Sequence, residues 1–169
     1  MIHYVKGDAT LPQGDDPKVI VHCCNDRGKW GAGFVLALSE RWPFVEEAYR
    51  AWSSSSWKGT PEAWADRVAV SGEFGLGEVQ FVLAGPKLWV ANLIGQHGTG
   101  MVNNRPPIRY DAIQQGLQKV CRFMQINDAS LHMPRMGAGL AMGNWQAVEK
   151  LVLAEVSSKG RTVTVYDLP

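Results

Sequence analysis

The chain has 169 residues, which suits one domain over residues 1–169 with a full hydrophobic core. Its 17 Lys+Arg against 16 Asp+Glu leave a formal charge of +1 with no long block of either sign, so bulk attraction to nucleic acid or to an anionic membrane is not expected. The odd set of Cys23, Cys24 and Cys121 reads as reduced thiols of a cytoplasmic protein, and His22-Cys23-Cys24 lacks the spacing of a metal site.

Met1 to Lys6 lacks the apolar stretch of a secretory leader, and no run of about 18 apolar residues is present to span a membrane. Ile2–Val5 is predicted as a short strand ending at Gly7-Asp8, and Lys18–Cys23, dense in Val and Ile, as a buried one. Helical spacing follows over Phe34–Arg41 and, after Pro43, over Phe44–Trp52. Ser53–Gly59 reads as a surface loop and Glu62–Arg67 as a helical turn. Glu78–Leu83 and Leu88–Ile94 flank Ala84-Gly85-Pro86-Lys87 as a β-hairpin, which makes the sheet mixed. The polar stretch Gly95–Pro107 is long for a connection in a compact domain, and loops of that kind are usually functional. Arg109–Met124 is predicted as a helix, Ser130–Met133 as a strand, Trp145–Val156 as a helix and Thr162–Tyr166 as a last strand. Strands and helices thus alternate after an initial pair of strands, the pattern of an α/β fold with a mixed, mostly buried sheet.

Two glycine-rich loops, Trp30-Gly31-Ala32-Gly33 and Met136-Gly137-Ala138-Gly139, each follow a strand-like run and precede a helix-like one. Glycine lets backbone N–H groups come close to an anion, and two such loops in matching contexts point to a diphosphate held from both sides. Standard nucleotide fingerprints fail: there is no P-loop, and Gly31 and Gly33 are followed by Leu36 where a dinucleotide motif needs a third glycine. Gly137, Gly139 and Gly143 are spaced one residue too widely, and no G-x-S-x-G elbow occurs.

Four ordered motifs resemble the signatures of a macrodomain: Val5-Lys6-Gly7-Asp8, Val21-His22-Cys23-Cys24-Asn25 with Trp30-Gly31-Ala32-Gly33, Met133-Pro134-Arg135-Met136-Gly137-Ala138-Gly139-Leu140, and Val163-Thr164-Val165-Tyr166. The likeness covers nearly the whole chain. It is most marked toward the branch of the terminal ADP-ribose glutamate hydrolases, with some likeness to fungal ADP-ribose-1''-phosphate phosphatases between His22 and Gly33. The resemblance implies a three-layer α/β/α fold binding ADP-ribose at the C-terminal edge of the sheet, with no cofactor and no metal.

Laid onto this sequence, the resemblance gives Asp8 and the Ala9 amide to adenine, Tyr166 to stacking on it, and Asn25 to the distal ribose. Trp30 to Phe34 and Met136 to Leu140 flank the diphosphate, and Asn92 is a weaker candidate for the distal pocket. Each has a plainer reading: Asp8 caps a turn, Tyr166 is a core aromatic, and His22 and His132 are satisfied strand histidines. The hydrolases' lysine nucleophile and closing aspartate align with Gln96 and Ala141, which can form no Schiff base and act as no acid or base. Three readings stay open. One is hydrolysis of an ADP-ribosyl ester, with Asn25 and His97 handling water. Another is a 1''-phosphatase using His22 or His97, and the third is a non-catalytic reader of ADP-ribose. An ADP-ribosylated nucleic acid as substrate is disfavoured by the absence of a basic stripe.

Overall fold

The computed structural model describes residues 1–55, 64 and 66–169. Its strands are β1 (Ile2–Lys6), β2 (Lys18–Asn25), β3 (Val68–Val70), β4 (Val79–Gly85), β5 (Leu88–Gln96), β6 (Ser130–Met133) and β7 (Val163–Asp167). They form a sheet of order β1-β7-β6-β2-β5-β4-β3, parallel from β1 to β5 and antiparallel at β5/β4 and β4/β3. The expected hairpin is therefore the antiparallel end of a mixed sheet. β3 was not anticipated, because three residues are too few to display a period.

Side chains alternate across a strand, so the two faces of each strand collect different partners. Val19 and Val21 of β2, with Ala91 and Leu93 of β5, pack under helices α3 (Tyr110–Asn127) and α4 (Trp145–Glu155). Ile20 and Cys24, with Val90 and Ile94, pack under α1 (Phe34–Arg41) and α2 (Pro43–Ser54). The result is three layers with the sheet in the middle. α2 is strongly amphipathic: Val45, Ala48, Tyr49 and Trp52, at helical spacing, are all buried. It runs through Ser53 and Ser54, so the expected surface loop begins later, and most of that loop and half of the turn expected at Glu62–Arg67 fall outside the described residues.

The inner faces also carry polar side chains. On the α1/α2 face, His22, Asn92 and Gln80 are adjacent across β2, β5 and β4, because the ladder pairs His22 with Asn92 and Asn92 with Gln80. Gln80 Nε2 donates to the Ala48 carbonyl (2.9 Å), Asn92 Nδ2 to Gln80 Oε1 (2.9 Å), and His22 Nε2 to Asn92 Oδ1 (2.5 Å). A backbone carbonyl can only accept, so the direction of the whole row is fixed and the hydrogen of neutral His22 lies on Nε2. Every polar group in the row is used, as burial requires.

Candidate functional site

A cleft of about 740 Å³ opens at the C-terminal ends of the parallel strands β6, β2 and β5. That edge is where open α/β sheets place ligands, because loops and helix N-termini converge there. Gly31 to Val35, which run into α1, form one wall, and the segment after β6, from Pro134 to Ala141, forms the other. Asn25, Gln96 and Thr99 lie at the end toward β5.

Between the walls the backbone is rich in free donors. No side chain caps α1, whose N-cap is Gly33, and the first N–H groups of a helix have no partner within it. Among the described residues, the amides of Gly31, Ala32, Gly33, Phe34 and Val35 donate to no other group, and neither do those of Gly137, Gly139 and Leu140. The second loop keeps its shape with other bonds: Met136 N to Pro134 O (2.7 Å), Met142 N to Gly139 O (2.9 Å) and Gly143 N to Gly137 O (2.8 Å). The two cations on the walls differ. Arg135 is held bidentate by Asp167 (2.7 and 3.0 Å), whereas Lys29 enters no ion pair among the described residues.

The structure gathers Asn25, Gly31, Ala32, Gly33, Phe34, Gln96, Met136, Gly137, Gly139, Leu140 and His22 around this one cleft. Others expected there stand elsewhere. Trp30 turns inward to the α1/α2 core, its indole N–H donating to Ser39 Oγ (2.7 Å). Asn92 is fully enclosed in the polar row and does not line this cleft. Tyr166 is only 4% exposed; its hydroxyl is hydrogen-bonded to His132 Nδ1 (2.8 Å) and accepts from Gln13 N (2.9 Å), and the plainer core reading holds. Ala138 is exposed on the second loop and is not part of the cleft lining, and Ala9 is buried.

Asp8 lies in a second hollow of about 540 Å³, beside Ala37, Glu40 and Arg41 of α1. It caps its own turn, with Oδ1 accepting from the Thr10 amide (2.8 Å) and hydroxyl (2.7 Å). Partial burial pushes its carboxyl up, but those bonds and Arg41 outweigh it and leave it below the usual carboxylate value.

Asn25 is bound into its own loop. Its Oδ1 accepts from Arg27 N (2.9 Å) and Lys29 N (3.1 Å), and its Nδ2 donates to Lys29 O (2.8 Å). The expectation that its amide both donates and accepts toward a ligand is corrected: the acceptor is committed and one N–H remains. His22 is likewise unsuited to proton transfer. Burial drives its imidazole down to about 4 despite the opposing bond to Asn92.

His97 is different. Its side chain is 44% exposed, it directly follows the lining residue Gln96 in the chain without itself lining the cleft, and its Nδ1 is 2.6 Å from Asp26 Oδ2. Asp26, Lys29, Thr99 and Arg135 were not singled out in the sequence. The first depends on strand register, and the others are polar loop residues without local pattern. Among the described residues, no three metal-ligating side chains cluster, and no helix is long and apolar enough to cross a membrane.

The layered sheet with a double glycine loop at its C-terminal edge defines an α/β ligand-binding domain of macrodomain type. The chain belongs to the macrodomain family: it is 46% identical to a macrodomain protein of Streptomyces coelicolor over 99% of both chains, with a TM-score of 0.80. A Bacteroides thetaiotaomicron protein of unknown function is 50% identical over 99% of this chain and 98% of its own, with a TM-score of 0.89. The mouse chromodomain-helicase-DNA-binding protein 1-like is 28% identical over 99% of this chain, which spans only 18% of that protein's length. A Trypanosoma brucei macrodomain solved in complex with ADP-ribose shares the fold at 14% identity, with a TM-score of 0.64 over 99% of this chain and 63% of that one. No family model matches the chain.

Proposed function

We propose that this chain, as one macrodomain over residues 1–169, binds ADP-ribose in the cleft and hydrolyses an ester carried on its distal ribose. The observation that carries the binding reading is the set of eight backbone N–H groups, on the two walls of one cleft, that donate to no other group among the described residues. Such donors suit a diphosphate in a chain with almost no excess charge, since they supply partial positive charge without a cation to neutralise. The Trypanosoma brucei macrodomain's complex with ADP-ribose supports the choice of ligand. In this reading the adenosine end extends toward Asp8, and the distal ribose lies at Asn25, Gln96 and Thr99. The hydrolase reading is supported by His97, which directly follows the lining residue Gln96 and whose imidazole is exposed enough to meet water.

Calorimetry with ADP-ribose and AMP tests the binding. ADP-ribose should bind at least about a hundredfold more tightly, because AMP forfeits two or three hydrogen bonds to charged groups, roughly 3 kcal/mol. Equal affinities would sink the reading. Incubation with O-acetyl-ADP-ribose then tests the chemistry: released acetate and ADP-ribose mark an ester hydrolase, and tight binding without turnover marks a reader. Phosphate released from ADP-ribose 1''-phosphate, with the ester left intact, would make the chain a phosphatase instead.

A further inference from the structure

We propose that Asp26 and His97 form a catalytic dyad, in which the Asp26 carboxylate is the positioning residue that holds the proton on Nδ1 and leaves Nε2 of His97 as the base for water. The inference rests on the ester-hydrolase reading above.

The pairing follows from strand register. β2 and β5 are parallel neighbours whose last residues, Asn25 and Gln96, are partners, so the next residues of each chain, Asp26 and His97, emerge side by side. The Asp26 amide donates to the Gln96 carbonyl (3.0 Å) and extends the ladder one step. Just before this point the register shifts, Cys24 facing Ile94 but Asn25 facing Gln96, which leaves Gly95 as the extra residue. A bulge of this kind re-aims the side chains beyond it. Gly95 is required there, since a Cβ would stand 2.7 Å from Ile113 Cγ1 and 2.8 Å from Cys23 Sγ.

Both partners are braced. Asp26 Oδ2 lies 2.6 Å from His97 Nδ1, Oδ1 accepts from the Gly98 amide (2.8 Å), and the carboxylate-bearing side chain is 15% exposed. Among the described residues the other charged group beside it is Arg27, whose Nε is 3.8 Å from Oδ1. His97 N donates to Pro107 O (2.8 Å), and Arg109 Nη1 donates to the carbonyls of Pro106, Pro107 and Ile108 at 2.6, 3.1 and 3.0 Å, tying down the far end of the loop. An ionised carboxylate only accepts, so in the neutral imidazole Nδ1 carries the hydrogen and Nε2 the lone pair. His22, the other histidine near the cleft, has the opposite arrangement, with Nε2–H spent on Asn92.

In the reaction, Nε2 takes a proton from water as the water oxygen bonds to the acyl carbon. The bond from acyl carbon to ribosyl oxygen then breaks, and that oxygen recovers the proton from the imidazolium. The products are the free carboxylic acid and ADP-ribose, and no other reactant is consumed.

The test uses O-acetyl-ADP-ribose with the wild-type protein, Asp26→Asn, His97→Ala and the double variant. Asp26→Asn keeps an acceptor for the Gly98 amide but offers an N–H to Nδ1, which moves the imidazole hydrogen to Nε2. We expect kcat to fall on the order of 100- to 10,000-fold with KM within about threefold. Long-range ¹H–¹⁵N spectra should place the His97 hydrogen on Nδ1 in the wild type and on Nε2 in the variant. His97→Ala should lose as much activity, regain part of it with free imidazole, and lose nothing more when Asp26→Asn is added. Turnover in Asp26→Asn within about fivefold of wild type, or a wild-type hydrogen on Nε2, overturns the dyad alone. No hydrolysis of the ester by wild-type protein overturns the hydrolase reading, and the dyad's catalytic role with it.

Discussion

The glycine-loop walls of the cleft and the end beside β5 differ in what they present: the walls offer free backbone amides from short consecutive segments, whereas the β5 end offers the side chains of Asn25, Gln96 and Thr99, with the Asp26–His97 pair on the residues that directly follow Asn25 and Gln96. Backbone donors need only permissive residues at the right turns. Side-chain chemistry needs identities whose partners are set by sheet register, here across 71 residues between Asp26 and His97. In the proposed reading the walls would serve any ADP-ribosyl ligand, and the β5 end would decide what is done to it.

The sharpest way to break that division is Gly139→Glu. A Cβ at Gly139 meets nothing within 4 Å, so the fold tolerates the change, while a carboxylate enters the space proposed for the diphosphate. ADP-ribose affinity should fall on the order of a thousandfold, about 4 kcal/mol, from repulsion and lost hydrogen bonds. Calorimetry on the folded variant checks this, and normal binding would remove the second loop from the site.

A second effect, on stability, separates the buried histidines from His97. Burial holds the imidazoles of His22 and His132 down to about 4, against about 6.5 in an unfolded chain. The unfolded state therefore binds more protons between those values, so stability is full above about pH 6.5 and is lost as pH falls toward 4. Each site is worth up to about 3 kcal/mol over that window. Urea midpoints across pH 4–7 measure it. His132→Gln should flatten part of the slope, and a slope unchanged in both His132→Gln and His22→Gln would mean that neither is held neutral.

Asn25→Ala comes next. It deletes the acceptor of the Arg27 and Lys29 amides and the donor to Lys29 O, so we expect about 2 kcal/mol of lost stability, read as a lower urea midpoint at constant m value. Loosening the turn also displaces Lys29. Borohydride added during ester turnover sharpens the point, since water chemistry at His97 leaves no lysine adduct to trap. An adduct that disappears in Lys29→Ala would transfer the chemistry to that amine.

The same division explains what the sequence disclosed. Both glycine loops, the Val- and Ile-dense Lys18–Cys23 run and the hairpin around Gly85-Pro86 are local patterns, and all appear where their patterns place them. Asp26 could not be read, because its partner depends on the one-residue shift at Gly95, and no local period encodes that shift. Tyr166 and Asn92 were misplaced for a related reason. A polar side chain near a strand end looks the same in sequence whether it faces a cleft or completes a buried row, and His132 and Gln80 decide the matter from other strands.

The smallest expected effect distinguishes glycines that the fold demands from those only a ligand would need. Gly33 and Gly137 adopt φ of 83° and 81°, and added Cβ atoms would lie 3.2 Å from Leu140 Cδ1 and 2.8 Å from Ile108 Cδ1, so alanine at either strains the backbone. Gly31 and Gly139 have neither constraint: no left-handed φ, and nothing within 4 Å of a Cβ. Alanine at these two should leave stability unchanged or raise it by less than about 1 kcal/mol, because it restricts only the unfolded chain. If the free amides cradle a diphosphate, the same methyl groups hold the ligand off those donors, and ADP-ribose affinity should drop about five- to tenfold, the loss of roughly one hydrogen bond. Thermal denaturation and calorimetry on Gly31→Ala and Gly139→Ala read the two effects separately. Unchanged affinity in both would leave these glycines without a role in fold or ligand binding, and the backbone cradle would then have to be withdrawn.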